Sequence, residues 1–437
     1  MIGKNKNRQA ILDKLGIESL NAMQEEAQSA IASNAEVVLL SPTGTGKTLA
    51  FLLPLLAELN PELEEIQALI LVPSRELAIQ IEQVARDMGS GFKVNAVYGG
   101  RSGSKDKIDL KHSPTLLIGT PGRIADHIRR ENIRTDFIKT LVLDEFDKSL
   151  EIGFEAEMRE IVESLSFLKK KILTSATQKT AIPDFVGLRN PKKINFLSEA
   201  ANQLEVKIVE ATRKDKLDTL LQLLKQVGAG NGIIFCNFKD TIQFVSDFLD
   251  DWDVSHGCFY GGLEQVDRER ALIKFRNGTH RLLIATDLAA RGIDVPEMDF
   301  IIHYQLPFKK DEFTHRNGRT ARMNSNGTAY VLKHREERAA DFLRGYETLD
   351  LKSGGKIDPA KWATLYVTGG RKDKISKGDI AGLFFKQGDL NRDELGNIEL
   401  KQDCAFVAVP ASKAEVLANE LNNVRLKKKK VRITLLN

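Results

Sequence analysis

The sequence predicts an α/β protein in which two parallel sheets follow one another along the chain and a smaller third sheet ends it. Short apolar, β-branched runs alternate with helical patterns through the first two thirds of the 437 residues. Such alternation indicates parallel strands covered by helices on both faces. A stretch of mixed character near residues 190–214 separates two alternating regions. A chain of this length also exceeds one ordinary hydrophobic core.

The first alternating region contains six candidate strands and the second contains four. A polar, glycine-bearing segment at 350–359 is typical of a linker. We therefore predict domains at 1–200, 201–349 and 362–437, with a linker at 350–361. The candidate strands are Val37–Leu40, Ala68–Val72, Asn95–Tyr98, Leu116–Gly119, Thr140–Leu143 and Lys171–Ser175, then Gly232–Cys236, Leu282–Thr286, Phe300–His303 and Thr328–Leu332.

The last 76 residues have a different element order and a different charge. They carry 14 basic and 9 acidic side chains, whereas the rest of the chain carries 50 and 51. A basic module beside a neutral body indicates nucleic-acid binding or a solvated charge run, and charge alone leaves both open. The predicted order is β-α-β-β-α-β, typical of ferredoxin-like or RNA-recognition folds. Its elements are Thr364–Thr368, a helix near Lys377–Phe385, Asn397–Leu400, Ala405–Val409, Lys413–Asn422 and Lys430–Leu435.

Composition excludes several classes of protein. The three cysteines are scattered, which argues against a disulfide framework or a zinc site and favours a reducing compartment. No apolar run reaches the roughly 18 residues of a membrane span, and the first residues lack the apolar segment of a secretory signal. We expect a cytoplasmic protein with no membrane contact.

The segment Ser41–Thr48 is a glycine loop between an apolar strand and an apolar helix. Gly44 and Gly46 allow the backbone to curl so that its N–H groups face a phosphate. Lys47 adds a cation at a helix N-terminus, and Thr48 is placed to ligate Mg²⁺. The pattern predicts an ATP site made of Ser41, Thr43, Gly44, Thr45, Gly46, Lys47 and Thr48.

A second apolar strand delivers Asp144 and Glu145. Asp144 suits the Mg²⁺ shell, and Glu145 suits the attacking water. In the second region, Arg319 and Arg322 are three residues apart and would share one face of a helix. Arginine is suited to a phosphoryl group in transfer. We therefore expect hydrolysis to require the closing of the two regions on one ATP.

Over residues 16–345 the chain resembles the DEAD-box ATP-dependent RNA helicases of superfamily 2. The resemblance implies two tandem RecA-like domains, RNA as activator, and ATP with Mg²⁺ as cofactors. The matching motifs occur in the family's order: Gln24, Ser41–Thr48, Pro73–Ala78, Gly99–Gly100, Thr120–Arg123, Asp144–Asp147, Ser175–Thr177, Ile233–Asn237, Gln265–Arg268, Ala285–Asp287, Arg291–Asp294 and His315–Arg322.

The same resemblance implies roles for single residues. It assigns Gln24 to the adenine edge and Asp294 to the ribose. Coupling between ATP and RNA is assigned to Asp147, Ser175, Thr177, Asp287 and His315, with His315 bridging the two regions. RNA contacts are assigned to Arg75, Gly100, Thr120, Arg123, Arg268 and Thr286, whose types grip phosphate and sugar rather than bases.

Two departures from the family pattern bear on function. Leu20 and Asn21 stand where the family has Pro-Thr, and no aromatic residue precedes Phe51 to stack on adenine. Phe146 replaces the alanine of the family's name-giving tetrad. An uncompensated phenyl ring would cost about 1–3 kcal/mol, so we expect a compensating space around it. The coupling between the ATP site and RNA is the property that we expect the Phe146 substitution to affect first.

Residues 362–437 resemble the RNA-binding domain of the DbpA (YxiN) subgroup of DEAD-box proteins. The loop Gly369–Lys374 and the run Arg425–Lys430 would give two basic patches beside an RRM-like sheet, with Arg371, Lys372, Lys374 and Lys428 as contacts. The resemblance implies structured RNA of the 23S ribosomal type and pre-ribosomal particles as partners. Tyr366 and Phe406 are candidates for base stacking, although alternating strands more often place such residues in a core.

Three functions remain open at this stage. The leading one is an ATP-dependent RNA helicase that remodels ribosomal RNA during large-subunit assembly. The second is an ATP-gated RNA clamp or chaperone that closes on RNA without unwinding it. The third, a DNA helicase of the same superfamily, is disfavoured by the Asp-Glu-x-Asp tetrad and the RNA-type module. Nothing in the sequence requires more than a monomer.

Overall fold

The computed structural model describes residues 8–42, 44–100, 103–177, 181–197, 204–287, 298–320, 327–338, 340–352 and 354–436, without the side chains of residues 104 and 105. It forms two compact units. The described part of the first unit ends at residue 197, and that of the second begins at residue 204.

The first unit is built on a parallel sheet that has seven strands within its described residues, in the order β3-β4-β2-β5-β6-β1-β7. Its strands are β1 (Glu36–Leu40), β2 (Ala68–Leu71), β3 (Val94–Val97), β4 (Leu116–Gly119), β5 (Thr140–Leu143), β6 (Lys170–Ser175) and β7 (Lys192–Asn195). Its helices are α1 (Arg8–Leu15), α2 (Ala22–Ser33), α3 (Lys47–Glu58), α4 (Arg75–Asp87), α5 (Gly103–Leu110), α6 (Pro121–Arg129), α7 (Phe146–Ile152) and α8 (Glu155–Ser164).

Both faces of this sheet are buried, because side chains alternate across a strand and helices cover each side. Val37 and Leu39 of β1 pack into one apolar cluster, whereas Val38 and Leu40 pack into the other. Phe146 is 3% exposed and belongs to the second cluster. The apolar core therefore accommodates the phenyl ring, as we expected from the sequence.

The second unit contains another parallel sheet, with seven strands among its described residues in the order β10-β11-β9-β12-β13-β8-β14. Its strands are β8 (Leu204–Ala211), β9 (Gly232–Phe235), β10 (His256–Phe259), β11 (Leu282–Ala285), β12 (Phe300–His303), β13 (Gly327–His334) and β14 (Glu347–Thr348). Helices α9 (Leu217–Val227), α10 (Lys239–Asp251), α11 (Gln265–Arg276) and α12 (Lys310–Asn317) accompany it.

The same unit holds a smaller antiparallel sheet in the order β16-β17-β15-β20. Its elements are β15 (Trp362–Val367), α13 (Lys377–Lys386), β16 (Ile398–Leu400), β17 (Ala405–Pro410), α14 (Ala414–Glu420) and β20 (Ile433–Leu435). A two-stranded hairpin, β18 (Arg425–Leu426) with β19 (Lys429–Lys430), precedes the last strand. The predicted β-α-β-β-α-β order is confirmed.

The sequence prediction missed strands β10 and β14, and two of its other details were wrong. The segment Lys430–Leu435 is not one strand, because Lys430 pairs with Arg425 in the hairpin and only Ile433–Leu435 joins the sheet. The mixed stretch 190–214 contains strands, since β7 ends the first sheet and β8 lies inside the second. Polar residues make up most of β7 and alternate along β8, which hid both strands from a search for apolar runs.

The fold class is confirmed: tandem parallel sheets are followed by a small antiparallel one. The predicted second and third domains both fall within the second unit, and their boundaries stay a prediction. In the part of the chain that the structure describes, no helix combines the length and apolarity needed to cross a membrane.

Candidate nucleotide and RNA site

The glycine loop lies where the sequence places it, between β1 and α3, and α3 begins at Lys47. Gly44 and Gly46 have φ values of +86° and +83°, which only glycine adopts without strain. A Cβ at Gly46 would also overlap the side-chain amide of Gln24. The backbone conformation therefore requires glycine there, and any larger residue would also displace the Gln24 amide.

Lys47 is 7% exposed, and its ammonium points back into the loop. Its Nζ donates to the carbonyl oxygens of Ser41 (2.7 Å) and Pro42 (2.8 Å). The Ser41 hydroxyl lies 2.7 Å from that of Thr45. A buried cation held by neutral carbonyls favours an anionic group nearby.

Gln24 lies against the glycine loop. Its Nε2 donates to the Gly46 carbonyl at 3.3 Å, and its Oε1 accepts the backbone N–H of Asn21 at 3.0 Å. Asn21 caps α2 and also donates to the Thr45 carbonyl at 3.2 Å. The unusual Asn21 thus ties α2 to the loop, while the adenine contact of Gln24 stays a prediction.

Asp144 and Glu145 follow β5, two strands from β1 in the sheet. The Thr174 hydroxyl donates to Asp144 Oδ1 and accepts the backbone N–H of Glu145 at 3.1 Å. Burial, followed by the Glu145 carboxylate, raises the pKa of Asp144 to about 6. Glu145 adopts a left-handed backbone, φ +48°, a conformation that costs energy outside glycine and is frequent at functional sites.

Three predicted coupling residues meet beside this strand end. The Thr177 hydroxyl donates to Asp147 Oδ2 at 3.1 Å, and the Ser175 hydroxyl donates to the Thr177 carbonyl at 2.8 Å. The Ser175 carbonyl accepts the N–H of Ser41 at 3.0 Å, so this cluster is bonded to the glycine loop. The remaining coupling residues, Asp287 and His315, belong to the second unit.

The predicted RNA residues of the first unit lie at the other half of the same sheet edge. Arg75, Gly100 and Thr120 follow β2, β3 and β4, which are neighbours in the sheet. A Cβ at Gly100, whose φ is +85°, would overlap the Arg75 guanidinium. Thr120 precedes α6, whose first turn carries Arg123.

Arg123 is held by a carboxylate that the sequence analysis did not single out. Asp106 is fully buried, and its Oδ2 accepts Nε of Arg123 at 2.7 Å. The same oxygen lies 3.1 Å from Nε2 of His127, which is 2% exposed. Asp106 thus fixes the direction in which Arg123 leaves α6.

In the second unit, two predicted RNA residues meet at the end of β10. The Arg268 guanidinium lies 4.8 Å above the ring of Phe259, and the Phe259 carbonyl accepts the N–H of Thr286 at 3.4 Å. Thr286 follows β11, the neighbour of β10. Arg268 and Thr286 therefore both contact Phe259, and their role in RNA binding stays a prediction.

Asp287, beside Thr286, is bound to a buried arginine. Arg316 is 2% exposed and donates to both carboxylate oxygens of Asp287, to the Gln305 carbonyl at 2.6 Å and to Asn237 Oδ1 at 2.7 Å. The sequence analysis quoted Arg316 inside a motif but gave it no role. It joins the ends of β9, β11 and β12.

One expectation about the arginine pair was wrong. Helix α12 ends at Asn317, so Arg319 lies beyond it and no helical face carries it. Arg319 is 6% exposed, and His315, on the helix, is 7% exposed. Arg322, Asp294 and Thr43 lie outside the described residues, and their roles stay predictions.

The basic residues of the third sheet form one surface rather than two patches beside a sheet. Nζ of Lys429 lies 2.7 Å from Asp373, and Nζ of Lys427 donates to the Lys374 carbonyl at 2.6 Å. These contacts join the β18–β19 hairpin to the loop Gly369–Lys374. The contacts named from sequence, Arg371, Lys372, Lys374 and Lys428, are all exposed on this loop and hairpin.

The aromatic pair of the third sheet faces α11. Tyr366 and Phe406 pack with ring centroids 5.5 Å apart, in a cluster that includes Ile273. Around them, Arg276 pairs with Glu399 (2.7 Å) and Glu269 with Lys401 (2.7 Å). Phe406 is 5% exposed, so its packing role outweighs the stacking alternative.

Comparison with known proteins adds an independent observation. The chain matches the family models for the DEAD/DEAH box helicase (residues 21–185), the helicase conserved C-terminal domain (215–324) and the DbpA RNA binding domain (364–435). It is 32% identical to the ATP-dependent RNA helicase DbpA of Escherichia coli K12, covering 97% of this chain and 96% of the relative. The chain belongs to the DEAD-box RNA helicases.

Two further comparisons agree. This DEAD-box helicase is 29% identical to DbpA of Bacillus subtilis 168, over 98% of this chain and 96% of the relative. Its fold is similar to S. cerevisiae Dbp5 bound to RNA and ADP BeF3, with TM-score 0.64 and 28% identity over 75% of this chain and 88% of that one. The chain is an ATP-dependent RNA helicase with a DbpA-type RNA-binding domain.

Sequence reasoning missed three polar side chains of the helicase: Thr174, Asp106 and Arg316. Each is buried and bonds a predicted functional residue from a distant point in the chain. Thr174 directly precedes the Ser-Ala-Thr motif and Arg316 lies inside the motif His315–Arg322, so each had a local signal in the sequence. Asp106 had none, because a single carboxylate in a polar helix resembles a solvated position.

Proposed function

We propose that this helicase hydrolyses ATP at the junction of β1, β5 and β6, and that it uses the closure of its two units to remodel structured ribosomal RNA. The proposal of ATP hydrolysis rests on the residues that meet at this junction. Lys47 and Asp144 are far apart in the chain but come to a shared sheet edge, where they are 7% and 3% exposed. Opposite charges buried at such an edge suit a metal–phosphate ligand.

Both side chains and backbone N–H groups of the loop would bind the nucleotide. Lys47 would exchange the carbonyls of Ser41 and Pro42 for β- and γ-phosphate oxygens, a stronger charge-assisted contact. The backbone N–H groups of the loop would donate to the same phosphates. Glu145, held by Thr174, would orient or deprotonate the attacking water.

The donors also fit Mg²⁺. The ion takes hard oxygen ligands, commonly one or two carboxylates together with phosphates. Asp144 is 3% exposed, and burial opposes its charge, so a divalent cation would offset that cost. Thr48, partly exposed in the first turn of α3, would supply a hydroxyl oxygen. When bound, Mg²⁺ neutralises phosphate charge during transfer.

The second unit would complete catalysis and hold RNA. Arg319 and Arg322 would stabilise the transferring phosphoryl group, and Asp294 would bind the ribose. The predicted RNA residues of the first unit would hold one stretch of RNA, and Arg268 with Thr286 another. Such contacts to phosphate and sugar read no sequence, so target choice falls to the DbpA-type module.

For that module we propose structured RNA of the large-subunit, 23S ribosomal type, within pre-ribosomal particles. The match to the DbpA RNA binding domain supports RNA binding by this module. So does the basic surface of Arg371, Lys372, Lys374 and Lys428, since cations at such a surface bind phosphates. We expect a monomer to carry out the reaction.

The test is steady-state ATPase activity of the full chain without RNA, with bulk RNA and with a large-subunit ribosomal RNA fragment. We expect the fragment to stimulate most, and Lys372→Glu with Lys428→Glu to abolish only that preference. Lys192→Glu, at an exposed lysine of the first sheet, is the control for a change of charge elsewhere. Equal stimulation by every RNA would contradict the proposed target and leave the motor standing.

Strand displacement on a short duplex separates the helicase mechanism from its alternative. We expect ATP-dependent displacement that Lys47→Ala abolishes. RNA-stimulated hydrolysis without displacement would instead favour the ATP-gated clamp, in which closure holds RNA without opening a duplex.

A further inference from the structure

The carboxyl edge of the second sheet carries an exposed aromatic pair that the RNA and ATP roles above leave unused. Phe238 follows β9 and is 56% exposed, while Phe308 follows β12 and is 79% exposed. Their ring centroids are 6.5 Å apart at an interplanar angle of 62°. Exposed aromatic rings in contact with one another mark a binding surface more often than isolated ones do.

A cavity of about 540 Å³ opens beside the two rings. Phe244 of α10, 49% exposed, lines its wall, and Asn237 and Gln305 line it where Arg316 binds their polar groups. This volume falls in the range of cavities that hold small organic groups. The lining therefore combines aromatic rings with polar and charged side chains.

Exposed lysines flank the rings, each group followed by an acidic residue, Asp240 or Asp311. Lys239 and Lys309 directly follow the two phenylalanines, and Lys310 and Lys214 stand beside them, all four exposed. Within the described residues, no ion pair joins these lysines to a carboxylate. The two carboxylates of the cavity are engaged: Asp215 pairs with Arg213 at 3.1 Å, and Glu337 accepts the N–H of His334.

The order of the strands places the rings in line with the predicted RNA contacts. Thr286 follows β11, and the next strands along the edge are β9 and then β12, which Phe238 and Phe308 follow. Neighbouring strands are about 4.8 Å apart. An RNA strand held at Arg268 and Thr286 therefore needs only a short step to reach the rings.

We propose that Phe238 and Phe308 form a stacking site for unpaired bases of the RNA strand held at Arg268 and Thr286. Bases present a π-face whatever their identity, so the site would add affinity without sequence preference. The flanking lysines would hold the adjoining phosphates. This inference rests on the proposed RNA role of that sheet edge, which it extends from sugar and phosphate to bases.

The test uses the full chain and a short oligouridylate that carries one 2-aminopurine, with a non-hydrolysable ATP analogue and Mg²⁺. Stacking on a phenyl ring quenches 2-aminopurine fluorescence, and titration gives the affinity. We expect Phe238→Leu with Phe308→Leu to lower the affinity about tenfold or more and to abolish quenching. Phe238→Tyr with Phe308→Tyr keeps the π-faces and should retain both. Trp252→Leu, at an aromatic residue 53% exposed just beyond the far end of α10, is the matched control.

Two results would overturn the proposal. One is unchanged affinity and quenching in the leucine pair, which would leave the patch as a docking surface for a protein. The other is an equal loss in the leucine and tyrosine pairs, which would exclude stacking. Arg268→Gln, measured in parallel, tests the underlying RNA edge: if it too leaves binding unchanged, the proposed RNA role of the edge fails, separately from the aromatic site.

Discussion

The carboxyl edges of the two parallel sheets use the same architecture for different kinds of chemistry. At the first, a glycine loop and paired carboxylates gather at β5-β6-β1, and predicted RNA residues gather at β2-β4-β3. At the second, the glycine loop has no counterpart among the described residues. Its centre is instead Arg316, which joins the ends of three strands through side chains and carbonyls.

The two sheet edges differ in how they hold their buried charged groups. The first edge buries two side chains of opposite charge, Lys47 and Asp144. The second satisfies its buried charge internally, since Arg316 and Asp287 pair with one another. A satisfied network is rigid, which suits the RNA contacts proposed for this edge.

The sharpest test of this division substitutes one cation from each unit. We expect Lys47→Ala and Arg319→Ala each to lower kcat for RNA-stimulated hydrolysis about 1,000-fold. Only Lys47→Ala should also weaken ATP binding, because Lys47 contacts the ground state and Arg319 acts in the transition state. Steady-state kinetics together with binding of a fluorescent ATP analogue measures both. Normal ATP affinity in Lys47→Ala would contradict the assignment of nucleotide binding to the first sheet edge.

The rigidity of the second edge depends on Arg316. We expect Arg316→Met to cost about 3 kcal/mol of unfolding free energy, because it leaves Asp287 without its partner. Arg344→Ala, which removes an ion pair to Asp341 whose side chains are 79% and 80% exposed, should cost less than about 1 kcal/mol. Urea unfolding followed by circular dichroism measures both variants. Equal losses would mean that the buried network adds no special stability.

At the edge of the first sheet, the buried carboxylate of Asp144 is held by a neutral side chain, that of Thr174. We expect Thr174→Val to lower kcat roughly tenfold or more, since it removes a hydrogen bond to the Asp144 carboxylate and another to the Glu145 N–H. Thr140→Val, at the opposite end of β5 and 8% exposed, controls for loss of a buried hydroxyl. A normal kcat in Thr174→Val would show that Asp144 keeps its position without it.

The smallest effect concerns the RNA half of the first edge. We expect Asp106→Asn to raise the KM for RNA several-fold and to leave unstimulated hydrolysis unchanged, because a neutral amide holds the Arg123 guanidinium less firmly. In an Arg123→Gln background the same change should add nothing. ATPase titrations with RNA measure this cycle. Additive effects would contradict a role through Arg123.

Much of the fold and of the nucleotide site could be predicted from short stretches of sequence. Apolar alternation identified ten strands of the two parallel sheets, and the loop Ser41–Thr48 was recognisable by its glycines between a strand and a helix. These features are local, because periodicity and turn chemistry act over a few residues. Strands β7, β8, β10 and β14 were missed: polar residues interrupt the apolar pattern of β7 and β8, and β14 has only two residues.

The tertiary structure alone decided which of these local features meet. It placed the Thr174 hydroxyl on Asp144, joined the two basic segments of the third sheet into one surface, and turned Tyr366 and Phe406 onto α11. It also brought Phe238 to Phe308 from distant parts of the sequence. Such contacts follow from strand order, which is set by the packing of whole helices and sheets and leaves no periodic trace in the chain.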